Sequence, residues 1–253
     1  MTGFAAFARK EAWEVLRTWR IWVLPGILLF FALTGPLVAR FTPEFIEAVA
    51  GDQLEGLQLP TPTPADSYAQ WVKNLSQIGL VSVIIIYGGI VSSEVRNGTA
   101  ALVLTKPVSR TAFVVAKAMV QSAFLAIVTL VGTVITWALT AVTFGQAPAQ
   151  DLWSAALVWL VLGVLFVAVM TLLSTLIGSP AGAAGAGLGV YALLAILGIW
   201  KPLGTYSPAG LGSHAAGLAA GQSPVIAWSV LTSLLISGFL VYLAARVFRR
   251  SDL

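Results

Sequence analysis

Residues 92–112 read SSEVRNGTAALVLTKPVSRTA, and this stretch decides how the rest of the chain is read. It sets four charged residues, Glu94, Arg96, Lys106 and Arg110, among turn formers and between two long apolar runs. Asn97-Gly98 is a helix stop and turn signal. Thr99 is placed to cap a short helix, TAALVLTK, which Pro107 ends because proline disfavours helix at the residue before it. Ser109 or Thr111 can cap the helix that follows. The segment predicts a compact helix, turn, short helix, turn and helix rather than a loose loop. Its short helix is mostly apolar yet too short to cross a bilayer. Leu102, Val103 and Leu104 must therefore bury against the interface, the chain's own helices or a groove on another protein.

Composition says what surrounds it. Only 9% of the 253 residues are charged and 58% are hydrophobic, whereas a soluble domain is about 25% charged. The mean hydropathy is +0.91. These values specify an integral membrane protein. With no Cys and a single His, His214, disulfides, thiol chemistry and a His-based metal site are excluded.

A spanning helix needs about 20 mostly apolar residues. Six runs qualify, at 21–39, 78–93, 113–144, 152–177, 183–200 and 225–247. The third is too long for one straight crossing, so one end should protrude. With the N-terminus inside, Arg40, Lys73 and Lys201 are the basic residues outside, and the other eleven of fourteen lie inside. Lys and Arg favour the cytoplasmic side, so both termini are expected there. Asp66 is placed to cap a second-span helix running unbroken to Asn97, a length of about 46 Å. Before it, LQLPTPTPAD reads as an extended tether. FTPEFIEAVAG reads as a separate short helix with Thr42 as cap, Pro43 at the first helical position and Gly51 as stop.

The N-terminal segment reads as an amphipathic interfacial helix rather than a cleaved signal. Phe4, Phe7, Ala8, Ala12, Val15, Leu16 and Trp19 share one arc, and Arg9, Lys10, Arg17 and Arg20 lie opposite. The four basic residues suit anionic headgroups. Glu11 is an exception within the apolar arc.

No Asp, Glu, Lys, Arg or His falls in the middle of a span, which weighs against an ion-coupled carrier. No phosphate loop is present. The Gly-rich run GSPAGAAGAGLGVY sits in a span, where Ala181, Gly185 and Gly189 form a small-xxx-small pattern that lets helices approach closely. Ser213 and His214 supply the chain's one Ser-His neighbourhood, and an intramembrane protease using it would lose cleavage in His214→Ala. If the protein performs work, the energy comes from a partner.

The run EVRNGTAALVLTKPVSRTAFVVAK resembles the signature of type-2 ABC-transporter permeases. That signature has an acidic residue, a basic one, G-T, a leucine-rich helix, a PVSR turn, an aromatic or aliphatic residue and a Lys. They fall here at Glu94, Arg96, Gly98, Thr99, Leu102, Leu104, Pro107, Val108, Ser109, Arg110, Phe113 and Lys117. The resemblance implies that the short helix is a coupling helix docking into an ATPase, with Glu94, Arg96, Gly98, Thr99, Leu102, Leu104, Pro107 and Arg110 carrying the contact. It implies an all-α integral membrane fold: six transmembrane helices, an N-terminal interfacial helix, a cytoplasmic coupling helix between spans two and three, and an external or re-entrant segment at 201–224. All of this forms one permease domain. The expected setting is a bacterial or archaeal plasma membrane.

Expected partners are two copies of an ABC ATPase subunit, a second permease copy (identical or not) packed through Ala181, Gly185 and Gly189, the lipid bilayer and an external protein, but no nucleic acid. No cofactor or metal is expected in this chain; ATP and Mg belong to the ATPase. The implied function is export, with an apolar pathway suited to a lipid, a hydrophobic drug or a lipid-linked glycan. The alternative is a non-transporting anchor that signals to an external protein through the loop at 40–77, which exceeds the minimal family plan.

Overall fold

The computed structural model describes residues 2–50, 61–105 and 108–250, and no strand occurs among them. The helices are α1 (Thr2–Arg17), α2 (Arg20–Ala50), α3 (Pro64–Asn74), α4 (Leu80–Tyr87), α5 (Ser92–Arg96), α6 (Thr99–Leu104), α7 (Arg110–Phe144), α8 (Ala149–Leu176), α9 (Pro180–Leu197), α10 (Lys201–Tyr206), α11 (Leu211–Ala219) and α12 (Ala227–Arg250). Among the described residues, six helical stretches are long and apolar enough to cross a membrane, with α3 to α5 counted as one. The chain is an all-α integral membrane protein.

The centre of the bundle is α8, which packs against α4, α7, α9, α11 and α12. It is hydrophobic all round, as a helix surrounded by others must be, and it buries Trp159, Phe166 and Met170 completely. By contrast α9 is the most exposed span. Only Ala183 and Gly187 on it are buried. A side chain at Gly187 would meet Met170 Sδ at 2.5 Å, so glycine here sets the α8–α9 distance.

Two helices depart from expectation. The separate short helix expected after Thr42 does not form: α2 continues through Pro43 to Ala50. The Thr42 hydroxyl donates back to the Val38 carbonyl at 2.5 Å, the bond of a residue inside a helix rather than of a cap. The Arg40–Glu44 ion pair at 3.0 Å braces the turn across the proline. The stop expected at Gly51 and most of the Pro-rich tether lie outside the described residues.

The second span begins as a capping box. Thr63, not Asp66, is the cap, and the Asp66 carboxylate accepts from the Thr63 backbone N–H at 2.7 Å and its hydroxyl at 2.8 Å. The unbroken helix expected to Asn97 is interrupted twice. A π-helical turn occupies Leu75–Gly79, and the helix breaks again at 88–91. At the second break the start of α9 presses in: a side chain on Gly88 would stand 2.5 Å from the Pro180 carbonyl oxygen. The freed Val91 and Ser92 N–H groups donate to Ser174 Oγ on α8 at 3.1 and 3.0 Å. A neighbouring span thus supplies the cap of α5.

Between spans five and six the chain turns back as α10, a 3₁₀ turn at Pro208–Gly210 and α11. The hairpin is tight because its glycines let backbone meet backbone: a Cβ on Gly210 would collide with the Gly204 carbonyl oxygen. Leu211, Ala215 and Ala219 bury α11 against α8 and α3.

Candidate functional site

At one end of the bundle α1, α5, α6, the start of α7 and the end of α12 meet. Gly98, with φ +72, takes the left-handed conformation that reverses the chain between α5 and α6. It occupies the cap position expected of Thr99, which is instead the first residue of α6 and donates its hydroxyl to the Glu94 carbonyl at 3.2 Å. Ser109 caps α7 by accepting from the Ala112 N–H at 3.1 Å. Lys106 and Pro107 lie outside the described residues. The short helix buries Ala100 and tucks Val103 and Leu104 against the core, while Leu102 is 69% exposed. Of the three residues expected to bury, Leu102 has no cover among the described residues.

Beneath α6 lies a cluster of charges. Lys117, 1% exposed, donates to Glu11 Oε2 at 2.9 Å and to Glu94 Oε1 at 2.6 Å. Lys10 lies 2.9 Å from Glu11 Oε1, 2.5 Å from Glu14 Oε2 and 3.5 Å from Glu94 Oε1. The Lys117 ammonium also stands 5.0 Å from the centre of the Phe113 ring. Phe113 stacks on Phe7 of α1 at 5.2 Å and on Phe248 of α12 at 5.1 Å. The Arg110 guanidinium donates to the Arg249 carbonyl at 3.1 Å, joining α7 to the last turn of α12. Glu11, the exception in an otherwise apolar arc, is thereby explained: it is the partner of a buried lysine.

Carboxylate oxygens of Glu11, Glu14 and Glu94 come within 4.8 Å of one another, a spacing suited to a cation. Lys10 and Lys117 already stand among them. Burial lowers the Lys10 pKa, but its bond to Glu14, its bond and charge attraction to Glu11 and the Glu94 charge together raise it above the ordinary 10.5. Burial pushes Glu14 up, but the bond and charge of Lys10, with the charges of Lys117 and Arg20, hold it below the ordinary 4.5.

A cleft of about 520 Å³ runs beside the cluster, lined by Lys10, Glu14, Arg20, Glu94, Asn97, Thr99 and Leu102. Of the four basic residues expected to face headgroups, Arg9 and Arg17 point outward and are exposed. Lys10 and Arg20 line the cleft. Arg96 is exposed and borders a second cleft with Ser174 and Phe248.

Elsewhere, Ala181, Gly185 and Gly189 are all exposed, and a side chain on Gly185 or Gly189 would meet nothing within 4 Å. Ser213 and His214 do not pair with each other. Ser213 donates to the Gly210 carbonyl at 2.9 Å, and His214 Nε2 lies 3.2 Å from Ser229 Oγ. The Ser229 proton is already given to the Thr205 carbonyl at 2.7 Å. His214 therefore donates to Ser229, the reverse of what a general base does.

The family described as ABC-2 family transporter protein matches residues 5–218, most of the chain. The chain belongs to the ABC-2 transporter family. The uncharacterized transmembrane protein YxlG of Bacillus subtilis (strain 168) is 30% identical over 125 residues, covering 48% of this chain and 48% of that protein. The chain thus aligns with about half the length of that relative. As an ABC-2 family member it is a multi-pass membrane protein of the permease kind.

Proposed function

We propose that this permease exports its substrate by receiving force from a separate ATPase at α6. The observation that carries the reading is the contrast within one short helix. Leu102 stands bare at the surface, while the base of the same helix is tied through Glu94 to a buried lysine that also holds α1. A rigid, anchored lever with an exposed apolar tip suits transmission better than a flexible loop does. Two ATPase copies bind ATP and Mg and close on each other, pushing α6 in each of two permeases. This chain carries no cofactor of its own. The permeases, identical or not, meet through Ala181, Gly185 and Gly189. The chain lies in a bacterial or archaeal plasma membrane with α1, α6 and both termini in the cytoplasm. Arg9 and Arg17 face its anionic headgroups.

The test is co-purification with a phosphate-loop ATPase, followed by ATPase and transport assays on Leu102→Asp and Gly98→Pro. Aspartate places a charge in the apolar contact, and proline cannot adopt the positive φ at Gly98. Both variants should remain in the membrane and lose the link between hydrolysis and transport. Unchanged coupling in both would sink the proposal.

A second reading has its own support. α2 carries Phe41, Phe45 and Val49 exposed beyond Arg40, and a cavity of about 620 Å³ opens between this part of α2 and the start of α3. In that reading the permease acts on an external protein through the segment at 40–77, and ATPase activity follows that protein's presence rather than a small substrate.

A further inference from the structure

The apolar arc of the N-terminal helix splits when the chain folds. Phe7 and Val15 are buried in the bundle, and Phe4 and Ala8 pack against its core. Leu16 and Trp19, expected on the same face, are instead more than half exposed. The bilayer cannot meet α1 through the whole arc, because Phe7 is stacked on Phe113 of α7.

What α1 turns outward is a different face. At about 100° per residue, Arg9, Trp13, Leu16 and Arg17 fall within about 100° of arc opposite Glu11. All four are exposed. Both acidic residues of α1 are engaged by lysines, Glu11 by Lys117 and Glu14 by Lys10. Among the described residues no carboxylate lies within ion-pair distance of Arg9 or Arg17. The two arginines are separated by about 12 Å along the helix. Trp13 stands midway, its ring centre 5.2 Å from the Arg17 guanidinium.

The continuation of this face indicates what covers it. Thr18 and Trp19 make the turn into α2, where the Trp22 N–H bonds to the Trp19 carbonyl at 3.0 Å. Trp22, 79% exposed, carries the aromatic stripe on to the first turn of span one. Tryptophan at the end of a span belongs in the headgroup layer, and that layer is anionic on the cytoplasmic side. A protein docked on the arginines would have to displace lipid from a stripe continuous with the span.

We infer that the outer face of α1 binds anionic phospholipid, with Arg9 and Arg17 on headgroup phosphates and Trp13, Leu16 and Trp19 at the top of the acyl chains, and that this contact seats α1 on α7. The inference rests on the proposed cytoplasmic placement of α1 and adds a regulation to it. Lys117 holds both Glu11 of α1 and Glu94 at the base of α6, so anionic lipid on α1 tightens the anchorage of α6.

The test uses the purified full-length permease. The chain has no Cys, so Ala12→Cys, at an exposed position of α1, carries a bimane label at one place. In phosphatidylcholine nanodiscs, doxyl-labelled phosphatidylglycerol should half-quench the label at a mole fraction about thirtyfold below that of doxyl-labelled phosphatidylcholine, equivalent to about 2 kcal/mol for two arginines. Arg9→Gln or Arg17→Gln should each reduce that preference about fivefold, and the double variant should abolish it. High salt should weaken it too. Arg246→Gln, an exposed arginine of α12, should change nothing. Hydrogen exchange in α1 should slow when phosphatidylglycerol is added to the wild type and not when it is added to the double variant. Equal quenching by the two lipids, a preference that survives the double variant, or exchange indifferent to lipid overturns the inference. So does an added ATPase that shields the label from doxyl lipid, since a protein then covers the face. None of the lipid arms needs an ATPase. Their failure while an ATPase co-purifies leaves the export reading standing, and their success with no ATPase leaves the lipid site and removes the export reading.

Discussion

Lys117 joins α7 to α1 and α5 through ion pairs to Glu11 and Glu94. A buried charge is tolerated only with partners, and removing one partner of a buried pair costs about 3–5 kcal/mol because the other is left uncompensated. Lys117→Met is therefore expected to destabilise the permease by about that amount, because Glu11 and Glu94 would both lose their inner partner. Thermal unfolding in detergent measures it, and an unchanged midpoint would show that the cluster holds nothing together. Lys10 and Glu14 add a pH dependence. Glu14 is held below 4.5, so its contribution is present above that value and is lost as pH falls through its lower folded value. Lys10 is raised, so its contribution is present below 10.5 and is lost as pH rises past its higher folded value. The seating of α1 should stay constant between about pH 5 and 10 and loosen on either side, read by protease cleavage of α1 or by a spin label at Arg9. At this scale the sequence was partly legible. The place of Glu94 at the end of span two left its partner open between the N-terminal helix and another protein, and Glu11 was visible as a flaw in an apolar arc. The partner of Glu11 was not visible, because Lys117 lies 106 residues away along the chain.

At the scale of elements, the broken second span is the feature that sequence periodicity hides. Residues 64–97 are apolar enough to read as one helix, and Gly88-Gly89 alone does not reveal a break. The break depends on Pro180 pressing against Gly88 and on Ser174 receiving two N–H groups, both contributed by other helices. Ser174→Ala should leave those donors unsatisfied and lower stability by about 1–3 kcal/mol. Hydrogen exchange at Val91 and Ser92 should accelerate while exchange in α8 stays slow; equal protection in the variant would mean that Ser174 is not the cap. The α5–α6 turn was legible for the opposite reason, since Asn97-Gly98 and Ser109 act through bonds made within a few residues. The extension of α2 through Pro43 was misread because proline is a strong local signal that the surrounding helix overrode.

For the whole molecule, six spans and the N-terminal helix could be read from apolar runs and charge placement, because a bilayer imposes those patterns directly, whereas an external or re-entrant segment at 201–224 came only from the family resemblance. The arrangement of spans around α8 could not, since nothing in a uniformly apolar helix says which neighbours it will have. Assembly beyond one chain has a sharp test. A side chain at Gly185 meets nothing within this permease, so Gly185→Leu should change the stability of one chain by less than about 0.5 kcal/mol, as surface changes do. The dimeric fraction, measured by cross-linking in native membranes, should fall. A dimer population equal to wild type would place the two-fold contact elsewhere.

The 35-residue α7 runs about 52 Å, while the hydrocarbon it crosses is about 30 Å thick. Both ends are fixed, one by Lys117 and Phe113 and the other by the Ser67–Thr140 bond to the start of span two. A rod pinned at both ends cannot shorten when the surrounding film thickens; it can only change its lean. Reconstitution into lipids of graded acyl length should therefore tune turnover, with an optimum at one thickness and decline on either side.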